Sequence, residues 1–273
     1  MGIWENYFQM KVKSITAYLE SLAPLVLQEE YDNSGLIIGS GEEEVLGTLI
    51  CLDCTEAVID EAIKKKCNLI IAHHPIIFRG LKTITGKNYV ERVVLKAIRN
   101  HISIYAIHTN LDNVAQGVNK MICDKLGLTN CKFLLPSPLE KGKGMRHGSG
   151  MIGTLSTPMT EIAFLNKLKT VMKTNAVRYT TLLNKKINKV AVCGGSGSFL
   201  LQNAIASAAD VFVTADVKYH QFFDADNKIL IADIGHYESE QFTKELLHDL
   251  LKRKFPIFAP RLSEKNTNPV NYL

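Results

Sequence analysis

Short runs that are apolar at every position recur along this chain, and they constrain its fold more than any other feature. Asn68-Leu-Ile-Ile-Ala72 and Thr48-Leu-Ile-Cys-Leu52 are of this kind. A strand with one wet face alternates apolar and polar residues, whereas a strand covered on both faces stays apolar throughout, the habit of parallel sheets. Reading the chain this way gives strands at Gly47–Leu52, Leu69–Ala72, Ser103–Ile107, Lys189–Cys193, Val211–Thr214 and Ile229–Asp233. Helical periodicity lies between them, at Thr55–Lys66, Tyr89–Asn100, Gly117–Leu126, Ser198–Ala208 and Glu238–Arg253, with another opening near Lys11. Strand–helix alternation in this order predicts an α/β protein, mostly parallel sheets with helices on their faces.

The expected organisation is two three-layer lobes. Residues 10–130 plus 233–273 form the first and 131–232 the second, with Pro136–Gly150, rich in Pro, Gly, Ser and charge, as a long loop or lobe boundary. Residues 1–9 contain Glu5-Asn-Tyr-Phe-Gln9 and read as a remnant of a cleavage tag or a disordered start. With 273 residues and 46% hydrophobic content the chain can bury a large core.

A net charge of +5, spread over scattered lysines with no recognisable reader motif, favours small anionic ligands and argues against nucleic acid. Six cysteines without a signal peptide suit a reducing cytoplasm. Cys51 and Cys54 have CxxC spacing but sit beside an apolar run, and they read as buried strand cysteines. No apolar stretch is long enough for a membrane helix.

The chemistry gathers at strand ends. His73 and His74 close an apolar strand just before Pro75, the place where open α/β sheets collect ligands. His108 and Asp112 follow a second strand four residues apart, and His236 and Glu240 follow a third with the same spacing after Gly235. Spacing of four puts two side chains on one helical face. Four imidazoles and two carboxylates exceed one tetrahedral ion and fit two divalent ions that would activate water between them. Nitrogen and oxygen donors without thiolate admit Zn, Fe, Mn, Ni or Co. Asp32 and Asn33 are candidate supporting groups. Lys218 and His220, after the strand Val211–Thr214, are candidates to hold an anionic substrate group. Cys193-Gly-Gly-Ser-Gly-Ser198 lacks dinucleotide or Walker spacing, and its glycines read as a tight strand-to-helix turn with phosphate cradling as the weaker alternative.

Six segments in order, Tyr31–Leu36, His73–Pro75, His108–Asp112, Gly194–Gly197, Thr214–Lys218 and Gly235–Glu240, resemble the Nif-three-like dinuclear metal family, the GTP cyclohydrolase I type 2 homologues. Asn268–Leu273 resembles the family's usual ending. Two departures stand out: Tyr31-Asp-Asn-Ser replaces Trp-Asp-Asn-Val, and Thr214-Ala-Asp-Val-Lys218 replaces Thr-Gly-Glu-Ile-Lys. The resemblance implies a two-lobed Nif-three-like fold, a di-metal centre ligated by His73, His74, His108, Asp112, His236 and Glu240, and a ring-shaped homohexamer. The functional expectation is a metal-dependent hydrolase of a phosphorylated or nucleotide-like small molecule, with Glu240 bridging and Glu238 moving a proton. The alternative is a non-catalytic metal carrier or regulatory interaction scaffold.

Overall fold

The computed structural model describes residues 10–138, 144–256 and 258–273. The expected tag at residues 1–9 and the middle of the Pro136–Gly150 loop lie outside the described residues. From the start the chain forms α1 (Val12–Leu22), β1 (Gly35–Ile38), β2 (Thr48–Cys51), α2 (Glu56–Lys64), β3 (Leu69–Ala72), α3 (Tyr89–Arg99) and β4 (Ser103–Ala106). Then come α4 (Thr109–Asp112), α5 (Val118–Leu126), β5 (Leu128–Pro136), β6 (Gly148–Thr160), α6 (Glu161–Val171), β7 (Arg178–Tyr179) and β8 (Lys186–Ser196). The remainder is α7 (Leu201–Ala206), β9 (Val211–Ala215), β10 (Leu230–Asp233), α8 (His236–Glu240), α9 (Thr243–Lys254) and β11 (Arg261–Leu262).

Two compact units result. One takes the chain up to Asn110 together with Lys244–Thr267, and the other takes Leu111–Thr243 with Asn268–Leu273. The sequence reading draws its lobes at 130 and 232, while the compact units divide at Asn110 and Thr243. The reason is packing: α5 lies against β5, β6 and β8, and α8 against β8 and β9. The Pro136–Gly150 segment is therefore a connection inside the second unit, between antiparallel β5 and β6, and not a lobe boundary.

In the first unit the strands run in the order β1-β4-β3-β2-β11. β4, β3, β2 and β11 are parallel, and β1 is added antiparallel at the edge. Every residue of β2, β3 and β4 is buried, as their apolar runs require. Each buried aliphatic side chain there contributes roughly 1.5–3 kcal/mol. Thr55 caps α2 by accepting from the Val58 amide, and Asn88 caps α3 through the Glu91 amide.

The second sheet has the order β5-β6-β8-β9-β10-β7 and is mixed. Its β8, β9 and β10 are parallel, while β5, β6 and β7 pair antiparallel. The expectation of mostly parallel strands holds for the first sheet and fails for half of the second. The expected helix Glu238–Arg253 is two helices, α8 and α9, interrupted at Gln241–Phe242.

Candidate metal centre

In the first unit three histidines converge at the carboxyl ends of adjacent parallel strands. His73 follows β3 and still pairs with β2, its amide donating to the Cys51 carbonyl at 3.2 Å, and the His74 amide reaches Leu52 at 3.0 Å. His108 stands in the same place after β4. The ring centroids of His73, His74 and His108 are 4.9–5.3 Å apart. One nitrogen from each lies within 4.8 Å of the other two, close enough to share an ion.

Each imidazole is oriented by an oxygen. His73 Nδ1 lies 2.8 Å from the Ile107 carbonyl, His74 Nδ1 2.7 Å from Asp53 Oδ1, and His108 Nδ1 2.7 Å from Asp32 Oδ1. A carbonyl or a carboxylate can only accept, so Nδ1 carries a proton and Nε2 is the nitrogen turned toward the cluster. Imidazoles that ligate metals are held this way, with the second nitrogen fixed by a carboxylate or carbonyl. Burial pushes the Asp32 carboxyl up, but hydrogen bonds from His108, Thr109 and the Asn33 amide outweigh it, so it stays well below the usual range. Burial opposes ionisation at Asp53 too, and His74 and Thr267 overcome it. Thr267 Oγ1 donates to Asp53 at 2.6 Å. Asn33 Nδ2 donates to the Ile77 carbonyl at 2.6 Å, tying its loop to the chain just past the histidine pair.

The second unit carries Asp112, His236 and Glu240. The turn after β10 uses Gly235 at φ 90°, where a Cβ would come within 2.3 Å of Glu238 Oε2. α8 then sets His236 and Glu240 on one face, with Nε2 and Oε2 3.1 Å apart. His236 Nδ1 is 2.6 Å from Asp216 Oδ2, the fourth imidazole held by an oxygen. Burial depresses the His236 imidazole, but the Glu240 charge and the Asp216 hydrogen bond prevail and push it up to about 11. Without metal the His236–Glu240 pair holds a proton at neutral pH, and a divalent cation is the natural competitor for it. A carboxylate oxygen of Asp112 lies within 4.8 Å of one of Glu240. These two carboxylates, after burial itself, push the Cys193 thiol up.

The glycine run resolves differently from a phosphate cradle. The Gly194 amide donates to Asn119 Oδ1 at 2.9 Å, Gly195 to Ser239 Oγ at 2.9 Å and Gly197 to Thr214 Oγ1 at 3.0 Å. Three of its amides are thus spent on protein oxygens. Gly195 has φ 60°, and a Cβ there would sit 2.4 Å from Glu240 Oε1. The glycine lets the backbone run against the Glu240 carboxylate.

The remaining candidates lie apart from these contacts. Lys218 and His220 are exposed, and among the described residues neither forms an ion pair. Glu238 is buried and accepts from Asn268 Nδ2 at 3.0 Å. Two residues along a helix from His236, it points to the other side of α8. All six free cysteines are buried or half-buried, Cys51 and Cys54 among them, as the CxxC reading expected. Among the described residues no helix is long and apolar enough to cross a membrane.

Sequence reasoning named the six candidate donors and Asp32, and it did not name Asp53 as the His74 partner. Its signal is weak: Asp53 stands two residues past β2 as His74 stands two residues past β3, and only the pairing of the two strands connects them.

The chain is thus an α/β protein whose strand ends gather oxygen-oriented imidazoles and carboxylates in clusters that could hold metal ions. The model of one family, Duf34/NIF3 (NGG1p interacting factor 3), matches residues 10–269. This chain belongs to the DUF34/NIF3 family. It is 34% identical to the GTP cyclohydrolase 1 type 2 homolog of Clostridium acetobutylicum, over 96% of this chain and 99% of the relative. The crystal structure of Staphylococcus aureus hypothetical protein SA1388 superposes with a TM-score of 0.89 at 32% identity, covering 97% of this chain and 99% of that one. The Bacillus cereus protein related to NIF3 gives 0.89 at 28%, with the same coverage.

Proposed function

We propose that the chain is a dinuclear metal-dependent hydrolase acting on a phosphorylated or nucleotide-like small molecule in the cytoplasm. His73, His74 and His108 supply one set of donors, and Asp112, His236 and Glu240 the other, to two ions drawn from Zn, Fe, Mn, Ni or Co. The observation that carries the reading is the orientation of all four imidazoles, each with Nδ1 on an oxygen. Three imidazoles alone form a neutral set, and the pair of carboxylates provides the charge that two dications need.

Bound metal of this kind lowers the pKa of coordinated water and polarises a scissile group. The chain's own residues would do the rest. Asp32, Asp53 and Asp216 keep the imidazoles in the ligating tautomer. Lys218 and His220, on the exposed loop after β9, would draw in the anionic group. Glu240, buried and flanked by Gly195, is the candidate bridging carboxylate, and Glu238 a candidate proton carrier. GTP ring opening, suggested by the names of the relatives, is a narrower form of the same proposal. A ring-shaped homohexamer is the assembly that the family resemblance suggests.

The alternative is a non-catalytic metal carrier or regulatory interaction scaffold. The family's description as an interacting factor favours it, and such a role needs the ligands but not Lys218. Metal content per chain is measured in wild type, His74→Ala and Glu240→Ala, and phosphoester and nucleotide hydrolysis in wild type and Lys218→Ala. Metal lost in the first two variants, with turnover lost but metal kept in Lys218→Ala, supports the hydrolase. Metal in the wild type without turnover of any phosphoester or nucleotide supports the carrier, and no metal uptake at all refutes both.

A further inference from the structure

The second unit has a cavity of about 640 Å³ between β7, an edge strand, and the short 3-10 helix Tyr219–Ala225 on the crossover from β9 to β10. We infer that it binds a flat heteroaromatic group of nucleoside size. Its volume is in the range of small-molecule sites, which are mostly apolar with a few convergent polar groups.

The lining has that character. Tyr179, Tyr219 and Phe223 contribute rings that are 49%, 73% and 67% exposed, with Phe222 behind them. Aromatic rings left this open around a concave wall offer π faces on which a planar ring can stack. Tyr219 and Phe223 already stand edge to face, centroids 5.6 Å apart, which braces both. Hydrogen-bonding capacity comes from Thr180, Thr181 and Asn227. Asp226 and Asn227 both adopt left-handed backbone, at φ 47° and 55°. They form the tight turn in which the Lys228 amide donates to the Ala225 carbonyl at 2.7 Å, which fixes the rim of the cavity. The Asp226 carboxylate on the lining is paired with Lys228 at 2.6 Å.

The cavity is also wired to His236. Arg178, on its wall, forms an ion pair with Asp233. The same carboxylate accepts from the Val217 amide at 2.9 Å and the Gly235 amide at 3.1 Å, next to Asp216 and His236 respectively. Arg178 thus joins the cavity wall to the backbone beside Asp216 and His236. Binding itself does not rest on the metal reading, and its test is run on metal-free protein.

Adenosine and guanosine are titrated into the full metal-free chain and followed by calorimetry and ligand-observed NMR, with ribose as the control lacking a base. Saturable binding of a nucleoside but not ribose is expected, weakened about tenfold or more by Tyr219→Ala and by Phe223→Ala. Both side chains are exposed, so unchanged melting temperatures show that the fold is intact. No saturable nucleoside binding, equal binding by ribose, or undiminished binding in both variants overturns the inference. So does a change of oligomeric state in the variants without a change in binding, which would make this face a contact between copies.

Discussion

His74 Nδ1 donates to Asp53 Oδ1 across 2.7 Å, joining the end of β3 to the end of the neighbouring strand β2. The same carboxylate takes the Thr267 hydroxyl through Oδ2, so one aspartate fixes both an imidazole and the chain following β11. Asp53→Asn keeps the shape and removes the charge. Metal affinity should fall about 10–100-fold with little change in fold, the usual effect of losing a group behind a ligand. Competition against a chelator of known affinity measures it. An unchanged affinity would mean that His74 does not ligate.

Gly195→Ala places a methyl against Glu240 Oε1 in a left-handed conformation. The backbone alone should cost about 1–2 kcal/mol. Metal retention should fall as well, because Glu240 must move. Thermal melts with and without metal separate the two effects: loss only of the metal-dependent part would leave the clash and remove the strain.

Metal uptake should release a proton. The imidazole of His236 is pushed up to about 11, so it is protonated at neutral pH and must lose that proton to ligate. Affinity should therefore rise with pH from 6 to 8, by about tenfold per unit for each proton displaced. Calorimetry in buffers of different ionisation enthalpy reads the proton count, and equal heats in all buffers would contradict it.

Acid stability should report on Glu61. This buried carboxylate accepts from Ser263 Oγ at 2.6 Å, the Glu264 amide at 3.0 Å and Lys65 at 2.7 Å. Burial works against its ionised form, and these donors win, so its folded value lies below the unfolded one. Its contribution is full above the unfolded value and is lost as pH falls through the folded one. Glu61→Gln should cost about 1–3 kcal/mol at neutral pH, and the difference from wild type should shrink in acid. A gap independent of pH would show that packing, not charge, is what Glu61 supplies.

Legibility of the chain followed burial. β2, β3, β4, β9 and β10 are covered on both faces, and their residues say so without reference to anything distant. β6 reads Gly148-Ser-Gly-Met-Ile-Gly-Thr-Leu-Ser-Thr-Pro-Met-Thr160, a composition that suggests loop. It is a strand because β5 and β8 flank it on either side, which is information held by the partners. α6 (Glu161–Val171) went unread although Thr160 caps it. The candidate donors were legible because they stand at strand ends. Their orienting carboxylates were less so: Asp216 and His236 sit at the ends of neighbouring strands, and only the fold brings them together. The division of the six candidate ligands between two compact units follows from where α5 and α8 pack, which the spacing of four does not encode.

The bare backbone at Gly195 makes one position hostage to another. A side chain at 195 and the Glu240 carboxylate where it stands compete for the same space, so a residue larger than glycine there displaces the carboxylate. The residue at 195 therefore limits the residue that can stand at 240.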